Sequence, residues 1–239
     1  MWSYYMNKVF SEINRENDLK RYEVKMVYNG LCIPEVESWI KRHSQLFRKA
    51  YPTRQVNNVY FDTHDMDFRD AHNQGVFDRF KIRYRWYHKS WIASEGQLEI
   101  KHKYGNLGKK EVFPIEVKID ISSLSWIQIK KIISSELALE YQPLFDSTNP
   151  ILINNYQREY YVNAAGNVRI TLDTHQQCFD QSFGMKPNIS NQMPMRSNLV
   201  LEIKAAEAHY LDISDVLEEF PLYSLAHSKY LIGTENAFI

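Results

Sequence analysis

Four tripeptides of this chain place a glutamate and a lysine on either side of one aliphatic residue: Glu23-Val24-Lys25, Glu99-Ile100-Lys101, Glu116-Val117-Lys118 and Glu202-Ile203-Lys204. Alternate side chains of a β-strand share a face, so each triplet puts an acid and a base on one side and an apolar residue on the other. Two further runs, 81–85 and 169–173, alternate in the same way. The pattern predicts a closed sheet with a charged interior, which would form a channel for a metal-bound anion.

An ordinary antiparallel strand with one face in water also alternates, and Glu/Lys pairs are common on protein surfaces. Surface strands, however, usually mix in Thr, Ser, Gln and Asn. Here nearly all the polar positions are ionisable. The recurrence therefore favours a charged channel over a wet surface.

The composition narrows the class of protein. A length of 239 residues suits one substantial domain, and 44% hydrophobic with 14% aromatic residues is typical of a β-rich globular chain. The 29 Lys+Arg balance the 29 Asp+Glu, which argues against a nucleic-acid binder, so an anion site must come from local concentration of cations. The two cysteines and eight histidines show no metal spacing and are expected to be structural or solvated.

Residues 1–20 are charged and lack the apolar core of a secretory signal. No apolar run approaches the roughly 20 residues that a membrane span needs. We therefore expect a cytoplasmic protein without direct membrane insertion, with an N-terminal extension over 1–20 and a single domain over 21–239.

Hydrophobic periodicity predicts strands at 21–28, 55–63, 77–88, 97–103, 110–118, 151–163, 167–174 and 199–205. It also predicts a helix at 34–47, a short turn or helix at 65–72, and helices at 122–139, at 212–220 and in a final segment through 232. Ser122 or Ser123 is the predicted N-cap of the third helix. Roughly eight antiparallel strands suffice to close a barrel with space inside. The predicted fold class is thus α+β, an eight-stranded antiparallel β-barrel tunnel with peripheral helices. No GxGxxG or GxxxxGK[ST] loop supports Rossmann or P-loop chemistry.

Polyphosphate is a dense polyanion, and its oxygens need many cationic donors held in fixed positions. The cations predicted to line the tunnel are Lys25, Lys81, Arg83, Arg85, Lys101, Arg158, Arg169 and Lys204. Interleaved carboxylates are expected to balance them, and Glu202 ranks first as a ligand for Mg²⁺ or Mn²⁺. Trp86 and the Tyr84/Tyr87 pair are predicted to pack the barrel rather than to stack bases.

An ordered set of motifs also resembles a known family. The set comprises 21–25 (RYEVK), 59–63 (VYFDT), 83–87 (RYRWY), 98–101 (LEIK), 157–160 (QREY), 168–174 (VRITLDT), 201–204 (LEIK) and 228–230 (SKY). From about residue 20 to about residue 234 the chain resembles the VTC domain, the polyphosphate-polymerase domain of the vacuolar transporter chaperone complex. That domain belongs to the triphosphate tunnel superfamily.

The resemblance implies an enzyme that transfers the terminal phosphate of ATP to a growing polyphosphate chain, with manganese as the typical metal. It adds Lys110 and Lys229 as phosphate-binding lysines and implies that Glu202 holds the metal. The residues assigned to catalysis are Lys25, Arg83, Arg85, Lys101 and Glu202. Those assigned to substrate binding are Lys81, Lys110, Arg158, Arg169, Lys204 and Lys229.

Two other functions stay open. A protein of the same fold could hydrolyse inorganic or nucleoside triphosphates with a metal-activated water, or it could bind polyphosphate without turnover. The resemblance implies a free-standing, bacterial version without an N-terminal regulatory domain or membrane segment. The expected partners are ATP and inorganic polyphosphate, with no nucleic acid; whether a membrane protein also takes part stays open.

Overall fold

The structure is a computed structural model that describes residues 21–29, 32–105, 107–194 and 198–218. Its strands are β1 (Arg21–Asn29), β2 (Arg48–Asp62), β3 (Asp78–Tyr87), β4 (Ile92–Ala93), β5 (Gly96–Tyr104), β6 (Leu107–Ile115), β7 (Ile119–Asp120), β8 (Asn149–Val162), β9 (Val168–Asp180) and β10 (Asn198–Ala206). Its helices are α1 (Ile33–Arg42), α2 (Asp67–Asn73), α3 (Trp126–Ser135), α4 (Gln142–Asp146) and α5 (Tyr210–Glu218), with a 3₁₀ turn at Glu207–His209. The predicted N-terminal extension, the predicted final segment through 232 and Lys229 lie outside the described residues.

Eight strands form one sheet in the order β1-β10-β9-β8-β2-β3-β5-β6, and every pair of neighbours is antiparallel. The sheet curls strongly, and the curl brings Lys101 on β5 close to Glu23 on β1 and Lys204 on β10. The charges of Glu23 and Lys204 therefore shift the pKa of Lys101. These strands stand near opposite ends of the strand order. The predicted α+β class with an eight-stranded antiparallel tunnel sheet is confirmed, in the form of a half-barrel.

The convex side of the sheet packs against helices in two hydrophobic clusters. One joins β2, β3, β5 and β6 to α3 and α4, with Trp86 and Phe145 fully buried. The other joins β1, β8, β9 and β10 to α1 and α5, with Met26 and Ile40 fully buried. The apolar residue of each strand triplet enters one of these clusters, which leaves the acid and the base on the concave side. In the described residues, no helix is long and apolar enough to cross a membrane.

Two predicted local features are wrong. The third helix begins after Ser125, whose side chain accepts from the backbone N–H of Gln128 in a capping box, whereas Ser122 bonds Asp120 instead. The triplet at 116–118 is not a strand. Strand β6 ends at Ile115, opposite the first residue of β5, Gly96, so the ladder offers no partner beyond that point.

Strand β2 is longer than its pattern predicts. Its first part, 48–54, pairs with β8 alone, because the ladder with β3 ends where Tyr87 pairs with Val56. Residues 48–54 are exposed and the β2–β8 register shifts on both sides of Tyr51. The first part of β2 therefore extends past β3, while β8 beside it stays paired with β9.

Candidate functional site

The strand register brings the predicted cations to the concave side of the sheet, called the tunnel face below. Directly paired residues share a face, and the pairs Lys25–Glu202, Lys204–Arg169, Arg158–Asp173, Arg83–Glu99 and Lys81–Lys101 all lie on it. The predicted residues that the structure places there are Lys25, Lys81, Arg83, Arg85, Lys101, Lys110, Arg158, Arg169, Glu202 and Lys204.

One group on this face, the Glu202 cluster, comprises Glu202, Glu23, Lys25, Lys204 and Arg158. The Glu202 carboxylate lies 3.0 Å from Lys204 Nζ, 3.4 Å from Lys25 Nζ and 3.9 Å from an Arg158 nitrogen. Glu202 is 6% exposed. Burial by itself would raise its pKa, but a hydrogen bond with Glu23 and the charges of Lys204, Lys25 and Arg158 hold that pKa well below its usual range. The carboxylate is therefore ionised.

A second group, the Glu99 cluster, comprises Glu99, Gln97, Arg83, Arg85 and Lys110. Glu99 is 3% exposed and accepts hydrogen bonds from Arg83 Nε at 2.5 Å and Gln97 Nε2 at 2.6 Å. Lys110 Nζ lies at 3.0 Å and an Arg85 nitrogen at 3.6 Å. Burial opposes ionisation here as well, yet Arg83, Arg85 and Lys110 together lower the pKa of Glu99 to about 2.

Arginines and one tyrosine connect the two clusters. Arg158 donates to both oxygens of the fully buried Asp173, at 2.5 and 2.7 Å, and its guanidinium lies 5.2 Å from the centre of the Tyr156 ring. Arg85 donates to the Tyr156 hydroxyl at 3.5 Å. The planar guanidinium of Arg158, bonded to both oxygens of Asp173, has a fixed orientation on the tunnel face between the two clusters.

Two of the predicted tunnel-face cations have no ion-pair partner among the described residues. Among the described residues, neither Lys101 nor Arg169 takes part in an ion pair. Burial lowers the pKa of Lys101, and the charges of Lys25, Lys204 and Arg83 lower it further against the opposing effect of Glu23. The face carries more cations than carboxylates, so it is suited to a polyanion.

The sequence reasoning did not assign Glu23, Glu99, Asp173 or Tyr156. All four could have been found from alternation, because each lies two or four residues from a predicted cation on its own strand. Arg54 gave no such signal, since β-bulges interrupt its strand. His102 lies on the convex side, where its Nε2 is 2.5 Å from Asp78 and its ring stacks on Phe80. This agrees with the structural role expected of the histidines.

Glu202 was predicted to bind Mg²⁺ or Mn²⁺, and the donor set around it fits a hard divalent ion. Its carboxylate is ionised, Glu23 adds a second carboxylate, and the Thr171 hydroxyl lies 3.4 Å away. No group of three or more His, Cys, Asp or Glu converges as a metal cage within the described part of the chain. The protein would thus supply few ligands and leave the others to phosphate oxygens and water, as is common for Mg²⁺ at phosphoryl-transfer sites.

Comparisons with known proteins agree with this geometry. A family model, the VTC domain, matches residues 20–238. No curated protein matches the chain. Two solved structures share the fold with a TM-score of 0.50 each. A putative adenylyl cyclase from Hippeastrum, described as having a dominant triphosphatase activity, is 17% identical over 90% of this chain and 96% of its own. A putative adenylate cyclase from Bacillus halodurans is 12% identical over 87% and 92%.

Proposed function

The chain belongs to the VTC domain family, and from that premise we propose that it is an ATP-dependent polyphosphate polymerase. Family and fold support a phosphate-related enzyme of the tunnel type. One observation carries the finer proposal. The tunnel face carries more cations than carboxylates, which leaves surplus positive charge for a polyanion. The lowered pKa values of Glu99 and Glu202 also make both carboxylates weak bases toward water.

Substrate binding follows from the cations. Arg83, Arg85 and Arg158 present planar forks whose orientation is fixed by buried carboxylates, so they bind phosphate oxygens with little loss of side-chain freedom. Lys25, Lys101 and Lys204 add compact charges on flexible stems. We assign the γ-phosphate of ATP to the region between the two clusters. Lys101 lies there, since charged residues of both the Glu202 cluster and the Glu99 cluster shift its pKa.

Chain extension breaks the bond between the γ-phosphorus and the oxygen that bridges it to the β-phosphate. A new bond forms between that phosphorus and a terminal oxygen of the polyphosphate acceptor, and ADP leaves with the bridging oxygen. The acceptor oxygen is already ionised at neutral pH, so the transfer needs positioning and charge stabilisation rather than a general base. Glu202 and Glu23 would hold a divalent ion, which when bound neutralises phosphate oxygens.

Triphosphate hydrolysis is the second candidate, favoured by the triphosphatase activity described for the Hippeastrum protein of the same fold. Water, unlike a phosphate oxygen, must lose a proton as it attacks. Lys101 is the tunnel-face group best suited to accept that proton, because its pKa is lowered and it has no ion pair among the described residues. Hydrolysis by a water that no metal activates would therefore need Lys101 as the base, whereas polymerisation would use only its charge.

The test combines one assay with one variant. Purified protein is incubated with ATP and Mn²⁺, and the products are resolved on a gel stained for polyphosphate while ADP and orthophosphate are quantified. We expect long chains with stoichiometric ADP, and we expect Lys101→Arg, which keeps the charge but is too basic to accept a proton, to retain chain formation within about threefold. Orthophosphate without chains would establish the hydrolase, and loss of that product in Lys101→Arg would identify Lys101 as the base. Tight triphosphate binding without turnover would leave a binding module.

A further inference from the structure

We propose that one mouth of the tunnel carries a platform that stacks the base of the nucleotide, formed by Tyr51, Arg54, Tyr87 and Tyr160. This inference rests on the proposed function, because it assigns a place to the nucleoside end of the ATP donor. These four residues are called the base platform below.

The base platform is a cluster of three rings around one cation. The Arg54 guanidinium carbon lies 5.5 Å from the ring centre of Tyr51, 5.8 Å from that of Tyr87 and 5.9 Å from that of Tyr160. Tyr51 and Tyr160 meet edge to face, with ring centres 5.7 Å apart. Aromatic faces combined with an arginine are the groups that stack nucleobases without reading their sequence.

The base platform lies directly beside the phosphate-binding arginines. Tyr160 is two residues from Arg158 on the tunnel face of β8, and Tyr87 is two residues from Arg85 on β3. Two residues along a strand span about 7 Å. A triphosphate held by Arg158 and Arg85 can therefore direct its nucleoside end onto the rings.

The location of these rings is not explained by core packing. Tyr51 is 56% exposed on the part of β2 that extends past β3, and the register shifts on both sides of it redirect side chains. Tyr84 and Trp86 are fully buried in the convex core, as predicted, but Tyr87 alternates to the other face and is only half-buried. The structure therefore separates Tyr87 from Tyr84, although the prediction grouped both as packing residues.

The opposite end of β3 has a different chemistry. Arg79 and Lys81 lie there, and with Lys103 they contribute to the low pKa of His72, about 4, after the larger effect of burial. His72 is thus neutral and adds no charge to a strongly cationic end. Because one end of β3 is aromatic and the other is cationic, we place the nucleotide at the base platform and the polyphosphate chain toward the cationic end.

The experiment compares two ligands that differ by the nucleoside. Isothermal titration calorimetry with ATP and with inorganic tripolyphosphate is run on the full chain and on Tyr51→Ala. We expect Tyr51→Ala to weaken ATP binding about tenfold, as for the loss of one stacking ring, and to leave tripolyphosphate binding unchanged. Tyr51→Phe keeps the ring and should bind ATP within about twofold of the parent.

Tyr104→Ala is the matched control. Tyr104 is similarly exposed at 49%, but it lies on the face of β5 opposite Lys101 and Lys103, so both affinities should stay unchanged. Unaltered ATP binding in Tyr51→Ala, or an equal loss for both ligands, would overturn the base platform. Both titrations are run without a divalent metal, so that ATP binds but is not consumed. An inactive protein would then refute the polymerase, while the comparison of the two ligands still decides this inference.

Discussion

The two halves of the tunnel face each surround one buried carboxylate with cations, but the cations differ. Glu99 is held mainly by arginines and an amide at short distances, down to 2.5 Å from Arg83. Glu202 is approached by two lysines and a more distant arginine, at 3.0 to 3.9 Å. Both carboxylates have lowered pKa values and are ionised.

The difference indicates two roles for the same side chain. Arginine side chains bind the oxygens of Glu99 in a fixed geometry, so the role of Glu99 is to keep these arginines in place in the tunnel wall. Lysines are flexible point charges that can turn from Glu202 to an incoming phosphate, which frees the carboxylate for a metal ion. Three measurements test whether Glu99 and Glu202 have these different roles.

The largest expected effect is on turnover. Replacing Glu202 with alanine removes the proposed metal ligand, and we expect a loss of ATP consumption of about 100- to 1,000-fold with tripolyphosphate binding partly retained. Glu99→Gln, which keeps the shape and one acceptor oxygen of the wall residue, should lose less than about tenfold. Steady-state ADP release at saturating Mn²⁺ provides the measurement, and equal losses in the two variants would contradict the division of roles.

The loss of folding stability should follow the reverse order, with a larger loss for the Glu99 variant than for the Glu202 variant. Glu99→Ala leaves Arg83 and Arg85 without their buried partner, and we expect the free energy of unfolding to fall by about 3 kcal/mol. Glu202→Ala leaves lysines that can extend to water, so a loss of about 1 kcal/mol is expected. Urea denaturation of both variants at neutral pH tests the order, and a larger loss for Glu202→Ala would reverse it.

The smallest expected effect is on the stability of the protein at acidic pH. The pKa of Glu99 is lowered to about 2 from an ordinary 4.5, so its stabilising contribution is complete above pH 4.5 and is lost as the pH falls toward 2. Between pH 6 and pH 3.5 we expect this residue to account for about 1 kcal/mol of the lost stability. Urea midpoints of the parent and Glu99→Gln across this range should converge as the pH falls; parallel curves would show that Glu99 is not held ionised.

Local alternation was enough to predict which side chains share a face. Lys25 with Glu23, Arg83 with Arg85, and Glu202 with Lys204 lie together because side chains two residues apart in a strand point the same way. The triplet at 116–118 shows the limit of that rule. Its pattern is the same as in the other three, but it lies past the end of the β5–β6 ladder and forms no strand.

The strand faces, the α+β class and the cationic character of the tunnel can be predicted from the sequence alone, because they depend on a two-residue period and on residue type. Which cations surround which carboxylate depends on how the strands pair in the folded chain. Lys25 meets Glu202 through the β1–β10 register, and Lys101 approaches both strands only because the sheet curls. The bulges that bring Tyr51 and Arg54 together follow from β2–β8 pairing, since contacts between residues about 100 positions apart in the chain leave no local pattern.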